Sequence, residues 1–321
     1  MAETENYLDR FYTIELARVT EAAALQAAQM IGRGDKEGAD QAAVDAMRTA
    51  LNALDINGTV VIGEGERDEA PMLYIGENVG TGKGPKVDIA LDPLEGTTLT
   101  AKAMANALAV VAMASGGTLL NAPDVYMDKV AVGPGYPDGV IDLDKPVAEN
   151  IVDVAKAKGV KPEEVTVCML DRERHEALIT QAREVGARVY LIPDGDIAGI
   201  FHTTEAATGI DLYVGRGGAP EGVLAAAALR CVGGQMQGRL HFRDDDERGR
   251  AERIGITDLN RKYDLTELAS GDVMFAATGV TNGSMLDGVK FESGHVHTHT
   301  IVMRSKTGTV RYIKARSRRA D

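Results

Sequence analysis

The segment Lys86 to Thr98, KVDIALDPLEGTT, constrains the fold of this chain more than any other. Val87, Ile89, Ala90 and Leu91 read as a short buried strand, Pro93 as its end, and Gly96 as a point where the backbone can approach a ligand closely. Thr97 and Thr98 then open a helical pattern expected over Leu99 to Ala112. The turn between strand and helix carries the carboxylates of Asp92 and Glu95 beside the Thr97 hydroxyl. A helix start offers unpaired N–H groups to an anion, and two carboxylates on the same turn can hold the cations that neutralise it. That combination points to metal-assisted phosphate chemistry.

A chain of 321 residues exceeds the usual size of a single core, so one large or two packed domains are expected. Its 35 basic and 48 acidic residues give a net charge of −13, which argues against a nucleic-acid partner and repels anionic ligands at long range. Local cations must overcome that repulsion, and an acid-rich pocket filled with divalent metal ions does so. No run of 18 apolar residues appears, and the acidic start MAETENYLDRFY lacks the basic and apolar regions of a signal peptide. The chain therefore reads as cytoplasmic, with no membrane partner. Its two cysteines, Cys168 and Cys231, are too few for a disulfide framework and read as small buried hydrophobes.

Apolar residues at helical spacing predict helices over Tyr12 to Met30 and Gln41 to Leu54, joined by a Gly/Asp-rich loop. Strand-like Thr59 to Ile62 leads into the acidic, glycine-flanked Gly63-Glu64-Gly65-Glu66. Strand ends meet at one edge of an α/β sheet, so Glu64 can converge with Asp92 and Glu95. Beyond Asn121 the chain is rich in Gly, Pro and Asp up to Lys145-Pro146, which marks the expected boundary between residues 1–145 and 146–321. The second half alternates strands and helices. Asp244 to Arg253, DDDERGRAER, reads as a solvated charged loop and helix start, and the terminal KARSRR as an exposed basic tail. His295, His297 and His299 alternate as on one face of a half-exposed strand.

The turn at Asp92 resembles the metal-binding signature of the lithium-sensitive sugar and inositol phosphatase superfamily, with Glu95 standing where the second acid is usually Asp. That departure is similar to the class II fructose-1,6-bisphosphatases. VIGEGERDEAPMLYIGENVGTG (from Val60), NALAVVAMA (from Asn106), LNAPDVYMDKVAVGPG (from Leu120), IPDGDIA (from Ile192) and GGAPEGVLAAAALR (from Gly217) resemble the same family in the same order. The resemblance covers nearly the whole chain from about Leu16 onwards.

It implies a layered α/β fold, the five-layer αβαβα sandwich of the sugar phosphatases, with a metal-binding first half and a sugar-phosphate-binding second half. It implies the metal ligands Asp40, Glu64, Asp92, Glu95 and Glu221; Asp40 could also be a helix N-cap and Glu221 a complement to a helix dipole. Oxygen ligands without His or Cys favour Mg²⁺ or Mn²⁺. Thr97, paired with Asp68, is implied to orient and deprotonate the attacking water, and Lys36 to contact phosphate. Substrate contacts are implied for Glu95, Gly96, Thr97, Tyr126, Arg172, Glu173, Arg174, Asp194, Gly195, Asp196 and Gly218, with bidentate arginine suited to a second phosphate.

The implied activity is hydrolysis of the 1-phosphate of fructose 1,6-bisphosphate. The start of the chain and the short segment after Asp246 most resemble cyanobacterial members that also take sedoheptulose 1,7-bisphosphate. A homo-oligomer, a tetramer or else a dimer, is expected from the family alone. The competing readings are a phosphatase of inositol monophosphate type, which has no need of Arg172 and Arg174, and a noncatalytic phosphosugar-binding regulator, which has no need of the five acids together.

Overall fold

A computed structural model describes residues 7–65 and 72–319, and the chain divides into two compact units. One unit is Met1–Leu119 with Gly271–Asp321; the other is Leu120–Ser270. The α/β class expected from the sequence is the class found, with one mixed sheet and its helices in each unit.

The first unit begins with two helices, α1 (Tyr7–Ala28) and α2 (Lys36–Asn52). Small residues Ala17, Ala23, Ala24 and Ala27 on α1 are buried, which lets that helix lie close against strands. Asp35 caps α2 by accepting a hydrogen bond from the Gly38 N–H at 2.8 Å. The sheet consists of β1 (Asn57–Ile62), β2 (Asn78–Val79), β3 (Lys86–Glu95), β4 (Leu108–Ser115), β11 (Val273–Gly279), β12 (Lys290–Glu292), β13 (His295–Arg304) and β14 (Thr309–Arg318). Its order is β12-β13-β11-β4-β3-β1-β2, with β14 paired to β13. Only β1 and β3 run parallel.

Three sequence expectations are corrected in this unit. The helix expected over Leu99 to Ala112 stops early: α3 spans only Thr97–Ala101, and Leu108–Ser115 is β4, paired between β3 and β11. Between them Ala103 and Asn106 adopt φ of 54° and 76°, left-handed conformations that no α-helix contains. The strand does not end at Pro93 but runs through it to Glu95, because Pro93 lies in an irregular stretch where β3 shifts register against β4. The basic KARSRR segment is for the most part strand β14, held along β13 from Thr309 to Arg318. The three histidines do alternate with buried Val296, Thr298 and Thr300 on β13, as a half-exposed strand requires.

The second unit has the strand order β10-β9-β5-β8-β6-β7. These strands are β5 (Tyr126–Val132), β6 (Thr166–Leu170), β7 (Arg188–Ile192), β8 (Leu212–Gly218), β9 (Gln235–His241) and β10 (Lys262–Asp264). Helices α4 (Val147–Lys158) and α5 (Glu176–Glu184) bury Ile151, Val154, Ile179 and Ala182 in a core with Val130, Val167 and Leu212. The short α6 (Asp196–Phe201) packs with the alanine-rich α7 (Ala219–Val232). Asp244 to Arg253 becomes α8 (Asp245–Arg253), capped by Asp244 accepting from the Glu247 N–H at 2.9 Å. A four-residue helix, α9 (Leu265–Leu268), precedes the return of the chain to the first unit.

The contact-defined units differ from a division after residue 145. Antiparallel pairing of β11 with β4 draws the strands between Val273 and Arg318 back into the first sheet, and composition along the chain carries no mark of that return.

Candidate active site

In a regular strand, residues three apart face opposite sides of the sheet. Asp92 lies opposite Val110 and Glu95 opposite Leu108, with the register shift between them. Their partners are two residues apart on β4 and share a face, so the extra residue at Pro93-Leu94 turns both carboxylates to one side. Asp92 fixes the bend by accepting a hydrogen bond from the Leu94 N–H at 3.1 Å. Glu95 is buried. Gly96 follows with φ 90°, and the half-buried Thr97 opens α3.

Glu64 comes to the same sheet edge along β1. Ile62 pairs with Ala90, two residues before Asp92, and Glu64 lies two residues beyond Ile62. Its backbone N–H donates to the Leu73 carbonyl at 3.0 Å. Asp40, on α2, hydrogen-bonds Glu64; burial pushes the Asp40 carboxyl above the usual carboxylate range, and the bond to Glu64 offsets part of that shift. Two carboxyl groups in contact require a shared proton or a cation. Asp35, not Asp40, caps the helix, so the Asp40 carboxyl is left for Glu64. Lys36, exposed, is one turn before Asp40 on the same helix face. Asp68 lies outside the described residues.

The second unit builds its part of the candidate set around β5. Side chains alternate along that strand, so Tyr126 and Asp128 face one side and Met127 and Lys129 the other. Lys129 is fully buried; its Nζ forms an ion pair with the buried Asp196 at the start of α6 and donates to the Gly218 carbonyl at 2.7 Å. Asp196 is therefore turned inward onto Lys129. Glu221, in the first turn of α7, has its Oε2 buried without a hydrogen-bond partner. Burial raises its pKa, opposed by the positive charge of Lys129 and reinforced by the negative charge of Asp196. Gly217 and Gly218 leave the room these carboxylates occupy: a Cβ on the first would run into Asp196 and on the second into Glu221.

On the other side of β5, basic groups gather. Arg174 donates from Nε and Nη2 to the Arg216 carbonyl at 3.0 and 2.9 Å, and its guanidinium lies over the Tyr126 ring at 4.9 Å. Arg172 faces Asp194 at 3.6 Å. Arg216 pairs with Asp128 at 2.7 Å and reaches the His241 Nε2 at 3.0 Å. Buried His175 ties the arginine segment to β8: Nε2 accepts from the Arg216 N–H at 2.7 Å, and Nδ1 donates to the Leu170 carbonyl at 2.8 Å. That arrangement requires the neutral ring, and burial lowers its pKa.

The residues that could hold a cation are thus Asp40, Glu64, Asp92 and Glu95 in the first unit and Glu221 in the second. Their chemistry fits a hard divalent ion, since every donor is a carboxylate oxygen and Glu221 carries a buried oxygen with no hydrogen bond. Among the described residues, no group of three or more His, Cys, Asp or Glu is drawn tightly enough to hold a metal by itself.

The chain matches the model of the bacterial, glpX-encoded fructose-1,6-bisphosphatases over residues 10–317. It belongs to that family. It is similar to fructose-1,6-bisphosphatase 1 class 2 of Escherichia coli strain K12, with 47% identity over 320 residues covering 95% of each chain. Fructose-1,6-bisphosphatase class 2 of Shigella flexneri matches to the same extent. Membership agrees with the resemblance carried by the Asp92 turn and the five further motifs.

Three residues of this arrangement are not legible as site residues. Lys129 follows Asp128 in the strand YMDKVAV, and its alternation onto the same face as the apolar Met127 is its only local signal. Arg216 sits inconspicuously in GRGG and His175 directly after the arginines.

Proposed function

We propose that the protein hydrolyses the 1-phosphate of fructose 1,6-bisphosphate, giving fructose 6-phosphate and phosphate, and that it also takes sedoheptulose 1,7-bisphosphate. The observation that carries this reading is the convergence of Asp92, Glu95 and the Asp40–Glu64 pair at one sheet edge, in a chain of the bisphosphatase family. Asp40, Glu64, Asp92 and Glu95 of the first unit, and Glu221 of the second, are the residues that would hold Mg²⁺ or Mn²⁺. Such ions neutralise charge on the phosphoryl oxygens and the leaving oxygen.

The chain's own groups do the remaining work. Thr97, with Asp68, orients the attacking water toward phosphorus, opposite the departing sugar oxygen. Lys36 contacts the reacting phosphate. Arg172 and Arg174 bind the second phosphate beside Tyr126, while Glu173, Asp194 and the backbone of Gly195, Asp196 and Gly218 complete the contacts to the sugar, the Asp196 side chain being taken by Lys129. The buried Lys129 holds Asp196 and so keeps the start of α6 in place. Both substrates present the same reacting end, which supports one site for the two.

The test is phosphate release from each bisphosphate with Mg²⁺, Mn²⁺ or a chelator, comparing the parent with Asp92→Asn. Metal-dependent release from both substrates is expected, falling at least about a hundredfold in the variant. A folded, metal-supplied protein that hydrolyses neither would overturn the reading; release from fructose 1,6-bisphosphate alone would remove only the second substrate.

A further inference from the structure

Arg174 is an unusual arginine. Its guanidinium is locked by two hydrogen bonds onto the Arg216 carbonyl, it lies over Tyr126, and among the described residues no carboxylate forms an ion pair with it. A fixed cation without a counter-charge is built to receive an anion. A second guanidinium approaches the same ring: the Arg243 Cζ lies 5.3 Å from the Tyr126 centroid. Arg243 comes from a different part of the chain, just after β9, where His241 pairs with Tyr126 across the sheet.

Its position is not accidental. Glu247, on the first turn of α8, is 1% exposed and spends its carboxylate on Arg243, accepting from the Arg243 backbone N–H at 2.7 Å and from the side-chain Nε at 2.5 Å. Burial raises the Glu247 pKa, and the hydrogen bonds from Arg243 more than reverse that, leaving it below the usual range. The Arg243 side chain nevertheless remains 60% exposed, so its outer N–H groups face solvent. Two cations drawn to one aromatic ring repel each other unless an anion joins them.

The geometry points to Arg243 as the second jaw of an anion clamp, closing with Arg174 across Tyr126 on the distal phosphate of the sugar bisphosphate, with Glu247 as its positioning residue. This rests on the bisphosphatase reading above and adds to it a residue that determines specificity for a doubly phosphorylated substrate. Arg174 is the fixed jaw, anchored on backbone. Arg243, anchored at one side of its guanidinium only, is the adjustable one.

The experiment compares the parent with Arg243→Ala, Arg243→Lys, Glu247→Gln and, as a control on the helix of Glu247, Arg248→Ala, whose side chain pairs among the described residues with the exposed Asp245. For fructose 1,6-bisphosphate, Arg243→Ala is expected to raise KM roughly ten- to a hundredfold, the usual worth of a charged hydrogen bond, with kcat held within about twofold. Arg243→Lys should recover part of the loss, Glu247→Gln should raise KM by less than Arg243→Ala, and Arg248→Ala should match the parent. For fructose 1-phosphate, which lacks the distal group, all variants should equal the parent. Calorimetric titration with fructose 6-phosphate reads the same contact without turnover, so the clamp is tested even where the parent hydrolyses nothing. An unchanged KM and unchanged fructose 6-phosphate affinity in Arg243→Ala, or an equal loss on fructose 1-phosphate, overturns the assignment. Arg243→Lys decides it should the alanine variant fail to fold.

Discussion

Lys129 is the residue whose removal the structure prices most clearly. It is fully buried and neutralises Asp196, while its charge also opposes the cost of burying ionised Glu221. Lys129→Met leaves those carboxylates buried without compensation, and a loss of about 3–5 kcal/mol in unfolding free energy is expected from denaturant titration. Lys129→Met combined with Asp196→Leu should cost less than Lys129→Met alone; a larger cost in the double variant would contradict the pairing. His175 carries a second prediction. Its neutral ring accepts from Arg216, and burial lowers its pKa in the folded state; burial does the same for His202. Below the unfolded-state value near 6.5 the unfolded chain therefore binds more protons than the folded one. Stability is full above about pH 6.5 and declines as pH falls from there toward the lowered folded-state values. Thermal midpoints measured from pH 7.5 to 5.5 should fall, and His175→Gln, though less stable throughout, should fall less steeply. In both cases the partner lies forty or more residues away, so the sequence around the residue does not name it.

At the scale of elements, the carboxylate turn was legible and its surroundings were not. Asp92, Glu95 and Glu64 could be placed at strand ends because a strand rich in Val, Ile and Leu followed by acids and glycine is a local signal. The strand after it was misread. Leu108 to Ser115 is buried at every position but the last, so it shows no alternation, and a fully buried strand cannot be told from a buried helix by periodicity. The breaks that separate α3 from β4 are an Ala and an Asn at positive φ; Ala announces no turn, and a single Asn is a weaker sign of one than Gly or Pro. The cap of α2 shows the same division: the helix was legible, whereas which aspartate caps it was not. Asp35→Ala removes the hydrogen bond to Gly38 and should cost about 1 kcal/mol, measured by denaturant unfolding, while Asp40→Ala should cost no cap energy and instead abolish activity. Equal destabilisation by the two would mean that the cap is shared.

At the scale of the whole molecule, the order of strands shows how the chain came to have two units. β4 and β11 are antiparallel neighbours in one sheet, with Ala114 opposite Val273, yet more than 150 residues separate them in sequence. The second unit, Leu120–Ser270, is thus inserted between two adjacent strands of the first. Its ends meet: the Leu120 N–H donates to the Leu268 carbonyl at 3.0 Å. It has its own six-stranded sheet and its own core, from Val130 to Val214. Segments whose termini lie together and whose core is internal are the ones that fold when excised. Residues 120–270 expressed alone should therefore give a cooperative thermal transition and dispersed amide resonances. A chain cut after residue 270 should instead lose the first unit, since β4 is left without β11 and the sheet loses β11 through β14 together. A circular dichroism melt of each fragment separates these outcomes. Absence of a cooperative transition in 120–270 would show that its core depends on the remainder of the chain, and a native-like first unit in the truncated chain would show that β11 to β14 are dispensable to the sheet they complete.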